Sequence, residues 1–314
     1  MRKVVLSTVT LLFVFASGVV YGQGYTFRVL ANKGQNQVKR AGATAAIALK
    51  TGATLNAGDE LIASQGAYIG LMHKTGKTLE VRTPGTQKVS DLEKKVNTKT
   101  ASVSERYGQF LAKKMNEKEN TNYRSKLNAT GAVSRALAGD EQIQVLLPNQ
   151  VNVIGDNAIV TWDSPEGMES NAFIVTVKNI FDEEIYKEET TSNSINLDFN
   201  AEQMKNDEGL YILTVRAKEN MDVKSGDIGI KRLKGADASQ YQEGLTALQS
   251  EVPEEGSLSK IIYASFYEEN GLILDALTKM EEAIRLSPEV SDFEELRKDI
   301  LERNGIKLFS ERDQ

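Results

Sequence analysis

The sequence predicts a multidomain protein that is mainly β over its N-terminal two-thirds and all-α in a C-terminal module. Short apolar runs separated by glycine-bearing turns recur about every ten residues over 25–90, a spacing typical of a small sandwich or barrel. Seven further runs of this kind lie within 141–233, whereas residues 236–306 place apolar side chains at helical spacing in four segments. The predicted divisions are a signal peptide at 1–22, a β domain at 23–90, a basic helical linker at 91–140, a β-sandwich at 141–233, a helical module at 236–306 and a tail at 307–314.

The first residues of the chain predict export. Arg2 and Lys3 precede an apolar run from Val4 to Val20, and the small residues Val20 and Gly22 fit a signal-peptidase site with cleavage after Gly22. The alternative is an uncleaved N-terminal membrane anchor, because this run is close to membrane-spanning length. No later stretch is apolar enough to cross a bilayer. We therefore expect no transmembrane span after cleavage, and a periplasmic or periplasm-facing, outer-membrane-associated location.

The residue types present exclude several kinds of chemistry. The chain has no cysteine and one histidine, so thiolate sites and multi-histidine metal sites are impossible and a Ser-His-Asp triad would have to use His73. Residues 257–260 match the S-x-x-K pattern of serine β-lactamases, but the K-T-G that should follow precedes it, at 50–52 and 74–76. We interpret Ser257 as a helix N-cap. The sequence predicts a protein that is not an enzyme, with no catalytic, cofactor-binding or metal-ligating residue.

The stretch GLMHKTGKT, residues 70–78, nearly matches a nucleotide-binding P-loop. A P-loop has four residues between its glycines and a helix after them, whereas five residues separate Gly70 from Gly76 and a strand pattern follows. We interpret the stretch as a β-hairpin whose turn needs the positive φ that Gly76 can supply. Lys74 and Lys77 are then expected to be solvated turn residues.

Residues 52–81 read GATLNAGDELIASQGAYIGLMHKTGKTLEV. Their pattern of glycine, leucine and aspartate before a strand and hairpin resembles the periplasmic domain of ferric-citrate regulator (FecR-type) proteins. The resemblance implies a β-rich module that senses a ligand or partner in the cell envelope. Full regulators carry a cytoplasmic anti-sigma segment before a membrane helix, whereas this chain begins with its apolar run, so we expect the resemblance to extend to the sensing module alone. The matching turn-motif positions are Gly52, Leu55, Gly58, Asp59, Leu61 and Gly76.

Charge divides the chain into a basic front and an acidic remainder. Residues 1–135 contain 21 Lys and Arg against 8 Asp and Glu, residues 136–250 contain 9 against 20, and residues 251–314 contain 8 against 16. This asymmetry fits either attraction within the molecule or a basic front facing an anionic envelope polymer. Within the basic linker, apolar residues at helical spacing predict one amphipathic helix at 103–119. Nucleic acid is not an expected partner of an exported protein.

The seven apolar runs of 141–233 have the number and size of an immunoglobulin-like sandwich. The stretch GLYILTVRAKEN, residues 209–220, resembles the sixth strand of fibronectin type III domains. This resemblance implies a core tryptophan on the second strand, which would be Trp162. We expect Trp162, Phe173 and Tyr211 in the sandwich core, with a carbohydrate-stacking role for Trp162 as the alternative.

The C-terminal helices carry a repeat-like spacing that begins at Ser257. Small, large apolar and helix-ending residues recur at the positions of a 34-residue tetratricopeptide repeat. The resemblance implies a paired-helix module that binds peptides or partner proteins on its concave face. The alternative is that these helices serve packing alone. The matching positions are Ala264, Tyr267, Gly271, Ala276, Met280, Ala283 and Pro288.

Together these features predict a non-enzymatic exported envelope protein that acts as a protein–protein interaction scaffold or sensor in the periplasm. Its expected partners are envelope proteins bound through the repeat-like helices. The alternative function is a cell-wall glycan-binding module, in which the basic N-terminal half contacts peptidoglycan or another anionic envelope polymer.

Overall fold

The computed structural model describes residues 24–96, 102–119, 143–164, 168, 172–205 and 209–309. The predicted signal peptide at 1–22 lies outside these residues, as does most of the predicted linker after 119. The strands are β1 Phe27–Lys33, β2 Gln37–Lys39, β3 Ala46–Ala48, β4 Thr54–Leu55, β5 Glu60–Ala63, β6 Tyr68–His73, β7 Thr78–Val81, β8 Gly85–Lys88, β9 Gln144–Val145, β10 Gln150–Val153, β11 Asn157–Asp163, β12 Phe173–Lys178, β13 Glu184–Thr190, β14 Ser194–Asp198, β15 Leu210–Ala217 and β16 Ile228–Arg232. The α-helices are α1 Val89–Lys94, α2 Ser102–Glu119, α3 Gly235–Glu251, α4 Ser257–Glu269, α5 Ile273–Leu286 and α6 Ser291–Arg303, with one 3-10 turn at Glu202–Met204.

The N-terminal β unit consists of two four-stranded sheets. One sheet has the strand order β4-β1-β6-β7 and the other β3-β2-β5-β8, and all of their pairings are antiparallel. Phe27, Leu61 and Ile69 are buried in the core of this unit, and helix α1 closes it with Val89 and Leu92. Strands β2, β4 and β8 are not predicted by the sequence, because each is at most four residues long and lacks a clear apolar alternation.

The middle unit is a β-sandwich of a three-stranded and a five-stranded sheet. The strand orders are β14-β11-β9 and β10-β16-β15-β12-β13, and the β10–β16 pair is parallel. Each of the seven predicted runs contains a strand. The eighth strand, β10, is missed because only Val151 and Val153 alternate with polar residues just after Pro148. The mainly β N-terminal part and helical C-terminal part that the sequence predicts are therefore confirmed.

The C-terminal helices form an antiparallel α4–α5 hairpin flanked by α3 and α6. Gly271, with φ of +71°, ends α4 in the left-handed conformation that a glycine adopts without strain. Pro288 is exposed in the turn between α5 and α6. Among the described helices, none combines the length and the apolar character that crossing a membrane requires.

The helical part lies between the two β units and contacts both. Helix α5 packs on β10 and β11 of the sandwich, α6 packs on β1, and α4 packs on β7. Helix α2, which matches the helix predicted at 103–119, packs on α3 and α4 through Tyr107 and Leu111. A single hydrophobic core therefore runs from Tyr68 of the N-terminal unit through the helices into the sandwich.

Candidate functional site

The β6–β7 hairpin has the turn that the sequence predicts, but its tip is not free in solvent. Gly76 donates its N–H to His73 O at 2.8 Å and has φ of +79°. A Cβ atom at Gly76 would lie 1.8 Å from the carbonyl oxygen of Ser104, at the start of α2. Gly76 is thus required by the turn and also by the close approach of helix α2.

Lys77 and Glu251 join this hairpin to two helix ends. The Lys77 ammonium donates to the carbonyl oxygen of Glu251, the last residue of α3, so the prediction of a solvated Lys77 is wrong. The Glu251 carboxylate accepts the N–H groups of Val103 at 3.2 Å and Ser104 at 2.7 Å, and Ser104 Oγ donates to Thr75 O at 2.9 Å. A cation thus lies at a helix C-terminus and a carboxylate at a helix N-terminus, the arrangement that helix dipoles favour.

The ionisation of these two groups reflects their surroundings. Burial lowers the pKa of Lys77, an effect that the nearby Glu251 carboxylate opposes. Burial alone would raise the pKa of Glu251, but the hydrogen bonds from Ser104 and Val103 and the charge of Lys77 outweigh it, so this pKa is lowered. The charge of each group thus favours the charged form of the other, and hydrogen bonds from both side chains hold the junction of hairpin, α2 and α3.

His73, the one histidine of the chain, is buried beside this hairpin. Its Nδ1 accepts the Thr75 N–H at 3.2 Å and lies 2.8 Å from Thr75 Oγ1, while Nε2 lies 3.4 Å from Glu93 Oε1. Its ring packs edge-on against Phe27, with 5.3 Å between ring centroids. Burial lowers the pKa of His73, so the ring is neutral at pH 7. These contacts fix the hairpin base, and the side chains hydrogen-bonded to His73 are Thr75 and Glu93 rather than a serine.

Ser257 is the first residue of α4, and Gly256 rather than Ser257 is the N-cap. The N-cap prediction fails because Ser259 makes the local capping contact, accepting the Gly256 N–H at 3.0 Å. Ser257 Oγ instead lies 3.1 Å from Tyr68 Oη and donates to Glu80 Oε1 at 3.0 Å, which links α4 to the N-terminal β unit.

Arg82 completes this second junction. Its guanidinium lies 4.5 Å from the centre of the Tyr68 ring and donates to Glu80, Ser287 and Glu289, each at 3.2 Å. Lys260, the lysine of the S-x-x-K match, pairs instead with Glu254 and Glu282 at 2.8 and 2.5 Å. The S-x-x-K residues therefore serve separate polar networks that pack α4 against its neighbours.

The residues of the predicted turn motif hold the N-terminal unit together. Leu55 is fully buried, Gly52 has φ of +86°, and a Cβ at Gly58 would lie 3.0 Å from the Ala41 side chain. The buried Asp59 carboxylate accepts from Arg40 at 2.7 Å, Asn56 N at 3.0 Å and Ala41 N at 3.1 Å. Burial would raise the pKa of Asp59, but these hydrogen bonds lower it overall.

Two further carboxylates dock the helices on the β units. Asp292 of α6 accepts Asn32 N at 2.6 Å and Thr51 Oγ1 at 2.7 Å, which explains the threonine of the first K-T-G match. Asp275 of α5 is buried and accepts the N–H groups of Gly155 at 2.8 Å and Ile154 at 3.1 Å, both in the β10–β11 turn. Burial raises the pKa of Asp275 to about 6, although those two hydrogen bonds oppose it.

The repeat-like positions lie where α4 and α5 meet. Ala264, Ala276 and Ala283 are buried and allow close approach of the two helices, and Tyr267 and Met280 are buried between neighbouring helices. Beside them lies a shallow groove between α2, α4, α5 and α6, with a cavity volume of about 10 Å³, room for about one water molecule. The groove is lined by Leu111, Met115, Ile261, Ala264, Met280, Leu296 and Ile300, with Lys114, Ser265, Glu268, Asp299 and Arg303 as its polar positions.

The three predicted core residues of the sandwich are buried together. The rings of Trp162 and Phe173 meet edge to face with 5.4 Å between centroids. The Tyr211 hydroxyl donates to Met204 O at 3.0 Å, seven residues upstream. The Trp162 Nε1 group has no hydrogen-bond partner among the described residues. Because the indole is inside the core, stacking on a sugar ring is not open to it.

Sequence reasoning misses the docking carboxylates Glu251, Asp275 and Asp292. Asp275 and Asp292 lie in the first turns of α5 and α6, where acidic residues are common for reasons of the helix dipole alone. Within the described ranges, no group of three or more His, Cys, Asp and Glu residues could hold a metal ion. No family model matches the chain, and no curated protein matches it.

Proposed function

We propose that this chain is a non-enzymatic, exported envelope protein that acts as a protein–protein interaction scaffold or sensor. The observation that carries the proposal is the groove between α2, α4, α5 and α6, a shallow groove with apolar walls on a helical module that lies between two β units. Clefts lined by apolar side chains with a few polar groups are typical peptide- and ligand-binding sites.

Three finer assignments accompany this proposal. A FecR-like unit is supported by the buried Asp59 and the glycines of the turn motif, and a repeat-like module by the α4–α5 hairpin with its buried alanines. An immunoglobulin or fibronectin III-like sandwich is supported by its two sheets and by the bond from Tyr211 to Met204 O, which has the geometry of a tyrosine corner.

The groove favours a partner whose apolar side chain packs across it, since its own volume of about 10 Å³ cannot enclose a side chain. Leu111 and Met115 form one wall on α2, and Leu296 and Ile300 form the opposite wall on α6. At the rim, the Arg303 guanidinium donates to both Glu268 carboxylate oxygens, at 2.6 and 2.9 Å. A ligand would meet this ion pair beside the partly exposed apolar walls, and burial of those walls would contribute to the binding free energy.

The same groove gives a physical route for sensing. One wall is α2, and the N-terminal end of α2 rests on the hairpin tip through Ser104 and Gly76. A partner that shifts α2 would alter its contacts with the β6–β7 hairpin of the FecR-like unit. We propose that this connection couples groove occupancy to the N-terminal unit.

In-cell crosslinking followed by affinity purification tests the scaffold proposal. A chain ending at Gly235 is a poor probe, because it lacks the helices that cover β1, β7, β10 and β11. The better variant is Leu296→Glu, which places a charge in the groove, with Leu286→Glu as the control because Leu286 is 52% exposed and outside the groove. We expect the wild type and the control each to capture the same identifiable envelope protein. Leu296→Glu should fail to capture it. Equal capture by all three chains would reject the groove as the docking surface.

The alternative function is binding to cell-wall glycan through the basic N-terminal unit. Residues 24–96 contain 11 Lys and Arg against 5 Asp and Glu, which favours contact with an anionic polymer. This alternative requires co-sedimentation with purified sacculi that weakens as salt is added and is unchanged by Leu296→Glu.

A further inference from the structure

Two exposed apolar positions on different β units have complementary surroundings. Phe181, at the tip of the β12–β13 turn, is 67% exposed, and Ile47, in the middle of β3, is 53% exposed. They are the most exposed large apolar side chains of the described residues. Ile47 lies in β3 and Phe181 lies in the turn that leads into β13, and each of these strands is the last in its sheet. In the described part of the chain, β13 also contacts the 3-10 turn at Glu202–Met204.

The turn that carries Phe181 is held by its own hydrogen bonds. Asn179 Oδ1 accepts the N–H groups of Phe181 at 2.9 Å and Glu183 at 3.0 Å. Asp182 has φ of +67°, an uncommon conformation for a residue with a side chain, and its carboxylate accepts from Lys178 at 2.6 Å. The tip is therefore ordered in the free protein, so binding through Phe181 would cost little conformational entropy.

The surroundings of this tip are acidic. The turn leads into β13, and Glu183, Glu184 and Glu188 are all exposed. Residues 143–233 as a whole contain 8 Lys and Arg against 16 Asp and Glu. A negatively charged lipid surface would repel this part of the molecule, whereas a basic protein surface would attract it.

The surroundings of Ile47 are small, apolar and basic. Its strand neighbours are Ala46 and Ala48, and β3 pairs on one side only, with β2. Lys39 lies opposite Ala46 in that pairing, and the exposed Lys50 follows β3. Small side chains leave the backbone of an edge strand accessible to another strand.

We propose that the Ile180–Phe181 tip and β13 edge of one molecule bind the β3 edge around Ile47 of a second copy. The contact would cover both exposed apolar positions, bring the acidic sandwich against the basic N-terminal unit, and bring together two strands that are each the last in their sheet. Because the two surfaces differ, a pair as a whole keeps one free tip on one molecule and one free edge on the other, and association continues head to tail into linear chains.

Sedimentation velocity of the purified protein over a range of concentrations tests this inference. We expect the wild type to form larger species as concentration rises and fewer of them at high salt. Phe181→Ser and Ile47→Ser should each remain monomeric alone. Their equimolar mixture should form dimers and nothing larger, because only one intact tip and one intact edge can meet. Leu286→Ser, which changes an equally exposed leucine on α5, should behave as the wild type does.

Three outcomes would overturn the inference. They are a wild type whose sedimentation coefficient does not change with concentration, a two-variant mixture that stays monomeric, and binding to zwitterionic lipid vesicles that is lost with Phe181→Ser. Self-association is separable from the groove, because Leu296→Glu should assemble as the wild type does. Failure of one proposal therefore leaves the other to be judged by its own experiment.

Discussion

The Glu251 carboxylate accepts the backbone N–H of Ser104 at 2.7 Å, and this contact joins the C-terminal end of α3 to the N-terminal end of α2. The two residues are 147 positions apart in the chain. The same carboxylate also accepts Val103 N, so one side chain satisfies two N–H groups that the first turn of a helix leaves without partners. Helix α2 is thus positioned by the C-terminal module and forms a wall of the groove.

Removing the Glu251 carboxylate should weaken the attachment of the N-terminal end of α2. We expect Glu251→Ala to lower the free energy of unfolding by about 1–2 kcal/mol, since losing a helix N-terminal cap has this cost. Hydrogen exchange at 102–115 should become faster in the variant. Glu255→Ala is the control, because Glu255 is exposed on the loop that follows α3. Equal protection of α2 in both variants would show that Glu251 does not position this helix.

The hairpin tip offers a second matched pair of substitutions. Gly76 and Gly66 have φ of +79° and +69°, so alanine at either position costs about 1–2 kcal/mol of backbone strain. A Cβ at Gly76 also collides with Ser104, whereas a Cβ at Gly66 has no atom within 4 Å. We therefore expect Gly76→Ala to be more destabilising than Gly66→Ala by about 1–3 kcal/mol in chemical denaturation. Similar values for the two would contradict the close packing of α2 on the hairpin.

Ionisation of the Asp275 carboxyl should make the free energy of unfolding depend on pH. Burial raises its pKa from 3.8 to about 6 in the folded protein, so folding favours the protonated form. The stabilisation from that proton is fully present below pH 3.8 and is lost as pH rises through 6. Relative to Asp275→Asn, the wild type should lose about 2 kcal/mol of unfolding free energy between pH 4 and pH 7. A pH-independent difference between the two proteins would show that the folded pKa of Asp275 is not raised.

The sandwich depends on a hydrogen bond at Tyr211. Its hydroxyl donates to Met204 O inside the protein, so Tyr211→Phe leaves a buried carbonyl without that donor and should cost about 1–3 kcal/mol. Tyr186→Phe is the control, because the Tyr186 hydroxyl donates to the exposed Glu188 carboxylate and water can replace it. Urea denaturation of both variants measures the difference, and equal stabilities would reject a tyrosine-corner role.

Local patterns in the sequence predict local structure well in this chain. The glycine spacing predicts the β6–β7 hairpin and the positive φ of Gly76, and apolar periodicity predicts α2 within one residue of its observed start. Pairings between distant residues are not predictable in this way. Lys77 has the sequence context of a solvated turn lysine, and nothing near it indicates that Glu251 will lie above it.

The groove is hidden from the sequence for the same reason. Its walls come from α2 and α6, and the residue types involved, such as Leu111 and Leu296, are those of any amphipathic helix. The repeat-like spacing predicts the α4–α5 hairpin alone. The structure adds that α2 lies across these helices, so part of the surface on α4 is already covered by the chain itself.

Direct measurement of the affinity for the captured partner tests whether the groove between α2 and α6 is the docking surface. Isothermal titration would compare a purified partner with the wild type, with Leu296→Glu in the groove, and with Leu286→Glu outside it. We expect Leu296→Glu to weaken the affinity at least tenfold, about 1.4 kcal/mol, and Leu286→Glu to leave it unchanged. Equal affinities for all three proteins would contradict the claim that the groove between α2 and α6 is the docking surface.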